Sequence, residues 1–120
     1  RSIFAYRYKA GKISDGRMLI DTGAIDASPD GMTIDSEGRL WVAFCHGACV
    51  VAYDPSTGGE VERIQLPCLE TTAPCFGGEN LNDLYVTTGI HSTVKEDLGG
   101  RLFKVEDLDV RGLPAFAFAG

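Results

Sequence analysis

Hydrophobic positions along this chain rarely recur at the 3.6-residue spacing of a helix. They fall instead in short apolar or alternating runs, each closed by turn-forming residues, which is the pattern of β-strands. Ten such runs stand out: 2–8, 17–21, 31–35, 39–44, 48–53, 60–66, 71–76, 83–88, 101–105 and 115–118. The breaks between them carry strong turn signals: Ser14-Asp15-Gly16, Asp35-Ser36-Glu37-Gly38, Pro55-Ser56-Thr57-Gly58-Gly59 and Gly77-Gly78-Glu79-Asn80. The expectation is an all-β chain.

The runs also repeat. Leu40-Trp41-Val42-Ala43 is echoed by Leu84-Tyr85-Val86-Thr87 at an offset of 44 residues. Phe4-Ala5-Tyr6, followed by Gly11, is echoed by Val51-Ala52-Tyr53, followed by Gly58, at an offset of 47. Val50-Val51 corresponds to Leu102-Phe103 at an offset of 52, the excess lying in the loop from Gly89 to Gly100. A four-strand unit recurring every ~40–50 residues is the signature of a propeller blade. Propellers close with roughly four to eight blades, and this chain supplies about two and a half. The first two strands read as the outer half of one blade, followed by two fuller blades. Such a piece leaves inter-blade faces open as an exposed apolar patch. The chain is therefore expected to be the C-terminal part of a single propeller domain whose remaining blades belong to the same protein.

Composition narrows the function classes. Against 11 Lys and Arg stand 17 Asp and Glu, a net charge of −6 with no basic cluster. That argues against a nucleic-acid backbone partner, which needs a basic stripe. No apolar run is long enough to make a membrane-spanning helix, so no membrane partner is expected either. The four cysteines, at 45, 49, 68 and 75, lie in or beside apolar runs, where a free thiol behaves as a small hydrophobe. Reduced thiols and a cytoplasmic location are the expectation.

The segment from Asp26 to Glu37 carries the densest chemistry. Oxygen donors at Asp26, Ser28 and Asp30, then Gly31 and Glu37, nearly satisfy an EF-hand calcium loop. An EF-hand joins two helices, however, and both flanks here read as strands, so that pattern is set aside. Asp30 also sits between Pro29 and Gly31 where the chain enters the first strand of a blade. Innermost strands line a propeller's channel, so a carboxylate there can point at the axis. The competing reading is a turn-forming Asp bonded to its own backbone, common in Pro-Asp-Gly.

These residues carry a family resemblance. Ser28-Pro29-Asp30-Gly31-Met32-Thr33-Ile34-Asp35, Glu37-Gly38-Arg39-Leu40-Trp41-Val42-Ala43 and Asp54-Pro55-Ser56-Thr57-Gly58 resemble the regucalcin family. That family is also called senescence marker protein and includes gluconolactonases and luciferin-regenerating enzymes. The likeness continues through Thr71-Thr72, Cys75-Phe76-Gly77-Gly78, Leu84-Tyr85-Val86-Thr87, Gly100-Arg101-Leu102-Phe103-Lys104, Val110-Arg111-Gly112 and Phe118-Ala119-Gly120. It implies a six-bladed propeller with one divalent metal ion (Ca, Zn, Mn or Mg) in the channel. The implied reaction is hydrolysis of a sugar lactone such as gluconolactone. Asp30 matches the family's metal-binding and catalytic Asp, as metal ligand and general base. The family's other metal ligands and its substrate-contacting residues lie ahead of the matched segment. These 120 residues alone are thus expected to be inactive. Two alternatives remain: a non-catalytic calcium-binding regulatory protein, and a relative acting on another substrate such as an oxidised luciferin.

The other candidates read as structure. Cys45-His46-Gly47-Ala48-Cys49 has no second Cys/His pair at zinc-finger spacing. His46 and His91 lie in or beside turns with no carboxylate or cysteine partner at catalytic spacing, which suggests exposed or capping roles. No G-x-S-x-G elbow occurs, and Gly77-Gly78 lacks the lysine of a phosphate loop. Trp41, Phe44, Tyr53, Tyr85 and Phe103 hold matching blade positions and are expected in the core. Lys95-Glu96-Asp97-Leu98 reads as a solvated loop, and Phe76 as a lesser candidate for the channel mouth.

Overall fold

A computed structural model describes residues 1–117. Among the described residues nine strands follow one another: β1 (Ser2–Lys9), β2 (Lys12–Asp21), β3 (Ser28–Ile34), β4 (Leu40–Cys45), β5 (Cys49–Tyr53), β6 (Glu60–Gln65), β7 (Thr71–Gly77), β8 (Asp83–Thr88) and β9 (Leu102–Val105). They form three antiparallel meanders in chain order: β1-β2, β3-β4-β5-β6 and β7-β8-β9. No helix among the described residues is long and apolar enough to cross a membrane.

Sequence alternation explains how the meanders stack. Strands β4 and β5 are apolar on both faces because both faces are covered. Trp41, Ala43, Val50 and Ala52 point one way and meet Phe76, Leu84 and Val86 of the third sheet, with Leu66 and Val110 from the flanking loops. Val42, Phe44, Cys49, Val51 and Tyr53 point the other way, onto Ile3, Ile20 and Ala27 beside the first sheet. A period-two strand with both sets apolar can only be an inner layer. Three sheets stacked face to face, each a sequential meander, form part of a β-propeller.

The outer layers are open. Phe4, Tyr6, Tyr8, Ile13 and Met18 of the first sheet are exposed, as are Leu102, Leu113 and Phe116 at the other end of the stack. The accessible surface is 7674 Å², against about 6,300 Å² for a compact monomer of this mass. The expected apolar patch is present.

Three local expectations need correction. Ser14-Asp15-Gly16 is not the first turn; it lies inside β2. The chain reverses at Ala10-Gly11, both with positive φ (50° and 80°), the geometry a two-residue hairpin requires. Asp15-Gly16 instead forms an irregularity where Ala5 pairs with Arg17 but Arg7 pairs with Ser14. A Cβ on Gly16 would lie 2.5 Å from the Tyr6 ring. Strand β3 begins at Ser28 rather than at residue 31, because its pairing with Cys45 extends past a bulge. Finally, residues 115–117 form no strand, and Phe118 lies outside the described residues. The third sheet therefore shows three strands.

Candidate metal and catalytic site

Strand β3 is the edge of the four-stranded sheet, and its bulge creates the site. Ser28 pairs with Cys45 and Pro29 with Phe44, but the register then slips so that Met32 pairs with Val42. Asp30 and Gly31 together oppose the single residue Ala43. Pro29 suits an edge strand because it has no N–H to offer a neighbour. Gly31 is required by contact: a Cβ there would lie 2.6 Å from the Ala73 Cβ and 2.7 Å from the Thr72 carbonyl oxygen. The first strand of one blade thus touches the first strand of the next through a residue with no side chain. The bulge turns the Asp30 carboxylate outward, where it is exposed and, among the described residues, takes part in no side-chain hydrogen bond or ion pair.

Asp30 does not act as a self-bonded turn residue; it stands within a strand. Nor do the acidic residues Asp26, Asp35 and Glu37 of the same segment converge on it. Asp26 pairs with Arg1 at 2.7 Å on the surface. Asp35 is 1% exposed and turned inward. Its Oδ2 accepts from Trp41 Nε1 at 2.8 Å and from Arg39 Nε at 2.7 Å. Its Oδ1 accepts from the backbone N–H groups of Glu37 and Arg39. Burial works against ionisation of Asp35, but the bonds from Trp41, Arg39 and the two amides outweigh it and hold the carboxyl below its ordinary range.

Around the same end of the sheets the structure assembles residues that spacing kept apart. Cys45 ends β4, His46 begins the following turn with φ 67°, and Glu70 precedes β7. A bridge between Cys45 and Glu70 joins the two blades. Cys45 Sγ donates to Glu70 Oε2 at 2.7 Å, and His46 Nδ1 lies 3.2 Å from Glu70 Oε1. The thiol of Cys45 is pushed up to about 11, first by its bond to the Glu70 carboxylate, then by burial, then by the negative charges of Glu70 and Asp30. His91 does cap a turn, its Nδ1 accepting from Val94 N at 2.9 Å. Its ring also stands edge-on to His46, centroids 5.3 Å apart. The expectation that neither histidine has a carboxylate or cysteine partner is therefore corrected. The only advance signal was the 44-residue repeat, which puts Cys45-His46 and Gly89-Ile90, just ahead of His91, at equivalent ends of adjacent blades.

Aromatic positions behave as packing. Trp41, Phe44 and Tyr53 are buried; Phe103 packs against the core, and Tyr85 is half-buried beneath the Lys104 ammonium. Phe76 does not face the channel. It is buried and meets Trp41 edge-on at 5.6 Å. All four cysteines are free.

Residues 1–90 match the family described as SMP-30/Gluconolactonase/LRE-like region. Regucalcins of Gallus gallus and Homo sapiens are each 38% identical to the chain over 122 aligned positions, covering 98% of it. A luciferin-regenerating enzyme superposes with a TM-score of 0.83 at 32% identity, over 94% of this chain and 40% of that one. Regucalcin from Agrobacterium tumefaciens, described as a calcium-binding protein, superposes with a TM-score of 0.73 at 27% identity, over 83% of this chain and 35% of that one. The chain spans 41% of the length of the two regucalcins. With its stacked meanders, its bulged Pro29-Asp30-Gly31 strand and three-quarters of its residues inside the matched region, this chain belongs to the SMP-30/gluconolactonase/LRE-like family.

Proposed function

We propose that this chain is part of a divalent-metal-dependent hydrolase of sugar lactones, with Asp30 in its active site. One observation carries the reading: a bulge on the edge strand of the four-stranded sheet presents a carboxylate that is exposed and, among the described residues, unpartnered, beside the next blade. Its exposure supports both roles proposed for it.

The donor chemistry fits a divalent ion. An ionised carboxylate is a hard oxygen ligand suited to Ca²⁺, Mg²⁺ or Mn²⁺. Asp30 supplies one ligand position, and calcium takes six to eight, so the remaining ligands come from other blades. The open apolar faces of the first and third sheets and the greater length of the relatives support a ring of six blades completed by the same protein. A bound divalent ion would supply Lewis-acid polarisation of the lactone carbonyl.

Asp30 itself would accept a proton from water as the water oxygen bonds to the carbonyl carbon. The ring C–O bond then breaks, and the ring oxygen leaves as a hydroxyl after taking up a proton. Gly31 lets the strand sit this close to the next blade, because a Cβ there would meet Ala73 and the Thr72 carbonyl.

The test uses the whole protein with gluconolactone as substrate. Turnover should disappear with EDTA, return with added divalent metal, and fall steeply in Asp30→Asn. Full activity in that variant would remove Asp30 from the mechanism. A second reading, a calcium-binding protein without turnover, draws on the description of the Agrobacterium relative. It predicts calcium binding that Asp30→Asn weakens and no hydrolysis in either form.

A further inference from the structure

Cys45, His46 and Glu70 make a cluster that the lactonase reading does not use. Their ligand atoms lie within 4.8 Å of one another. They come from three places: the end of β4, the turn after it, and the residue leading into β7 of the next blade. A tetrahedral ion with bonds of about 2.0–2.3 Å needs its ligand atoms about 3.3–3.8 Å apart. Glu70 already stands 2.7 Å from Cys45 Sγ and 3.2 Å from His46 Nδ1, so small side-chain rotations suffice. Glu70 is held in place, its side chain only 13% exposed, while the His46 side chain is 54% exposed and leaves an approach from solvent.

We propose that Cys45, His46 and Glu70 form a second metal site, separate from the one Asp30 serves, that takes a borderline-soft divalent cation of the zinc type and clamps two adjacent blades. Thiolate and imidazole select zinc over calcium or magnesium. The charges match: thiolate, carboxylate and neutral imidazole cancel a 2+ ion. Binding releases the Sγ proton, now shared with Glu70, to solvent, and His46 keeps its one ring proton on Nε2. Three protein ligands leave the fourth position to water or an outside ligand. His91 stays outside the ligand set: its Nδ1 accepts backbone N–H bonds from Thr93 and Val94, and its Nε2 lies 3.9 Å from Glu70 Oε1, beyond hydrogen-bond reach.

Metal-stripped whole protein titrated with Zn²⁺, and separately with Co²⁺, tests the site. The wild type should bind Zn²⁺ with a rise in melting temperature that grows with free metal. Co²⁺ should give a thiolate charge-transfer absorption. Cys45→Ser should abolish that absorption, and His46→Asn and Glu70→Gln should each weaken Zn²⁺ binding at least tenfold. His46→Asn guards against misfolding, since the residue is exposed in a turn at φ 67° and Asn tolerates that conformation. Asp30→Asn should still show the absorption whether or not the lactonase reading holds. Absence of the absorption in the wild type, or its persistence in Cys45→Ser, overturns the proposal.

Discussion

Strand β3 carries a carboxylate near its start and another just past its end, and the fold treats them in opposite ways. Asp35 is sealed inside, each oxygen taking two hydrogen bonds, and serves as the post around which Arg39, Trp41 and the turn at Ser36–Gly38 are arranged. Asp30, five residues earlier, has no such partners among the described residues and faces solvent from a bulge. A fully bonded buried carboxylate is stabilised but chemically spent. A free one costs nothing in stability and stays available to a metal or a proton. The neighbouring inner strand makes the same point. Its own register slip falls between Thr71 and Ala73, yet the Thr72 hydroxyl there is taken by Thr87, 2.9 Å from its carbonyl oxygen and 2.7 Å from its hydroxyl. Two register slips on the first strands of two sheets thus leave one polar side chain, the Asp30 carboxylate, unengaged among the described residues.

The comparison can be broken most directly by exchanging the loss at its two ends. Asp30→Asn should lower lactone turnover by about 10²–10⁴-fold, the usual contribution of a general base, with unfolding free energy changed by less than about 0.5 kcal/mol. Asp35→Asn should do the reverse. Its amide NH₂ would face donors, costing about 3 kcal/mol in denaturant unfolding, while kcat of the folded fraction holds. A stability loss in the first variant, or its absence in the second, would undo the division of roles.

Acid sharpens it further. Because the Asp35 carboxyl titrates lower when folded, its contribution is fully present above the unfolded carboxylate value of about 3.9. That contribution fades as pH falls from there through the lower folded value. Asp35→Asn should remove this part of the acid sensitivity, measured as unfolding free energy against pH. Trp41→Phe deprives Asp35 of one donor and leaves a void where the indole is fully buried, a loss of about 2–4 kcal/mol with turnover of the folded fraction unchanged. Gly31→Ala tests how the Asp30 end is fixed. The new methyl meets Ala73 and the Thr72 carbonyl, and should cost about 1–3 kcal/mol with a fall in turnover as the strand is displaced.

Much of this was legible in the residues alone. Seven of the strands correspond closely to the runs that alternation and turn chemistry mark out, since side-chain period and turn preference are local properties. The 44-residue echo of Leu40-Trp41-Val42-Ala43 carried the blade repeat, and the Pro29-Asp30-Gly31 motif carried the family and the candidate carboxylate. The first hairpin was misread because Asp-Gly is a turn signal by composition, whereas the actual turn at Ala10-Gly11 is chosen by the register with which β1 meets β2.

What needed three dimensions was every distinction that depends on a distant partner. The letters that spell Asp30 and Asp35 are the same; only the sheet slip at Ala43 turns one out, and only Trp41 and Arg39 bind the other in. Phe76 became core because Trp41 of the previous blade lies across it. Glu70 met Cys45 and His46 because adjacent blades touch at that end. Local chemistry sets strands, turns and donor types, while stacking of the blades decides which polar groups are satisfied and which remain free to act.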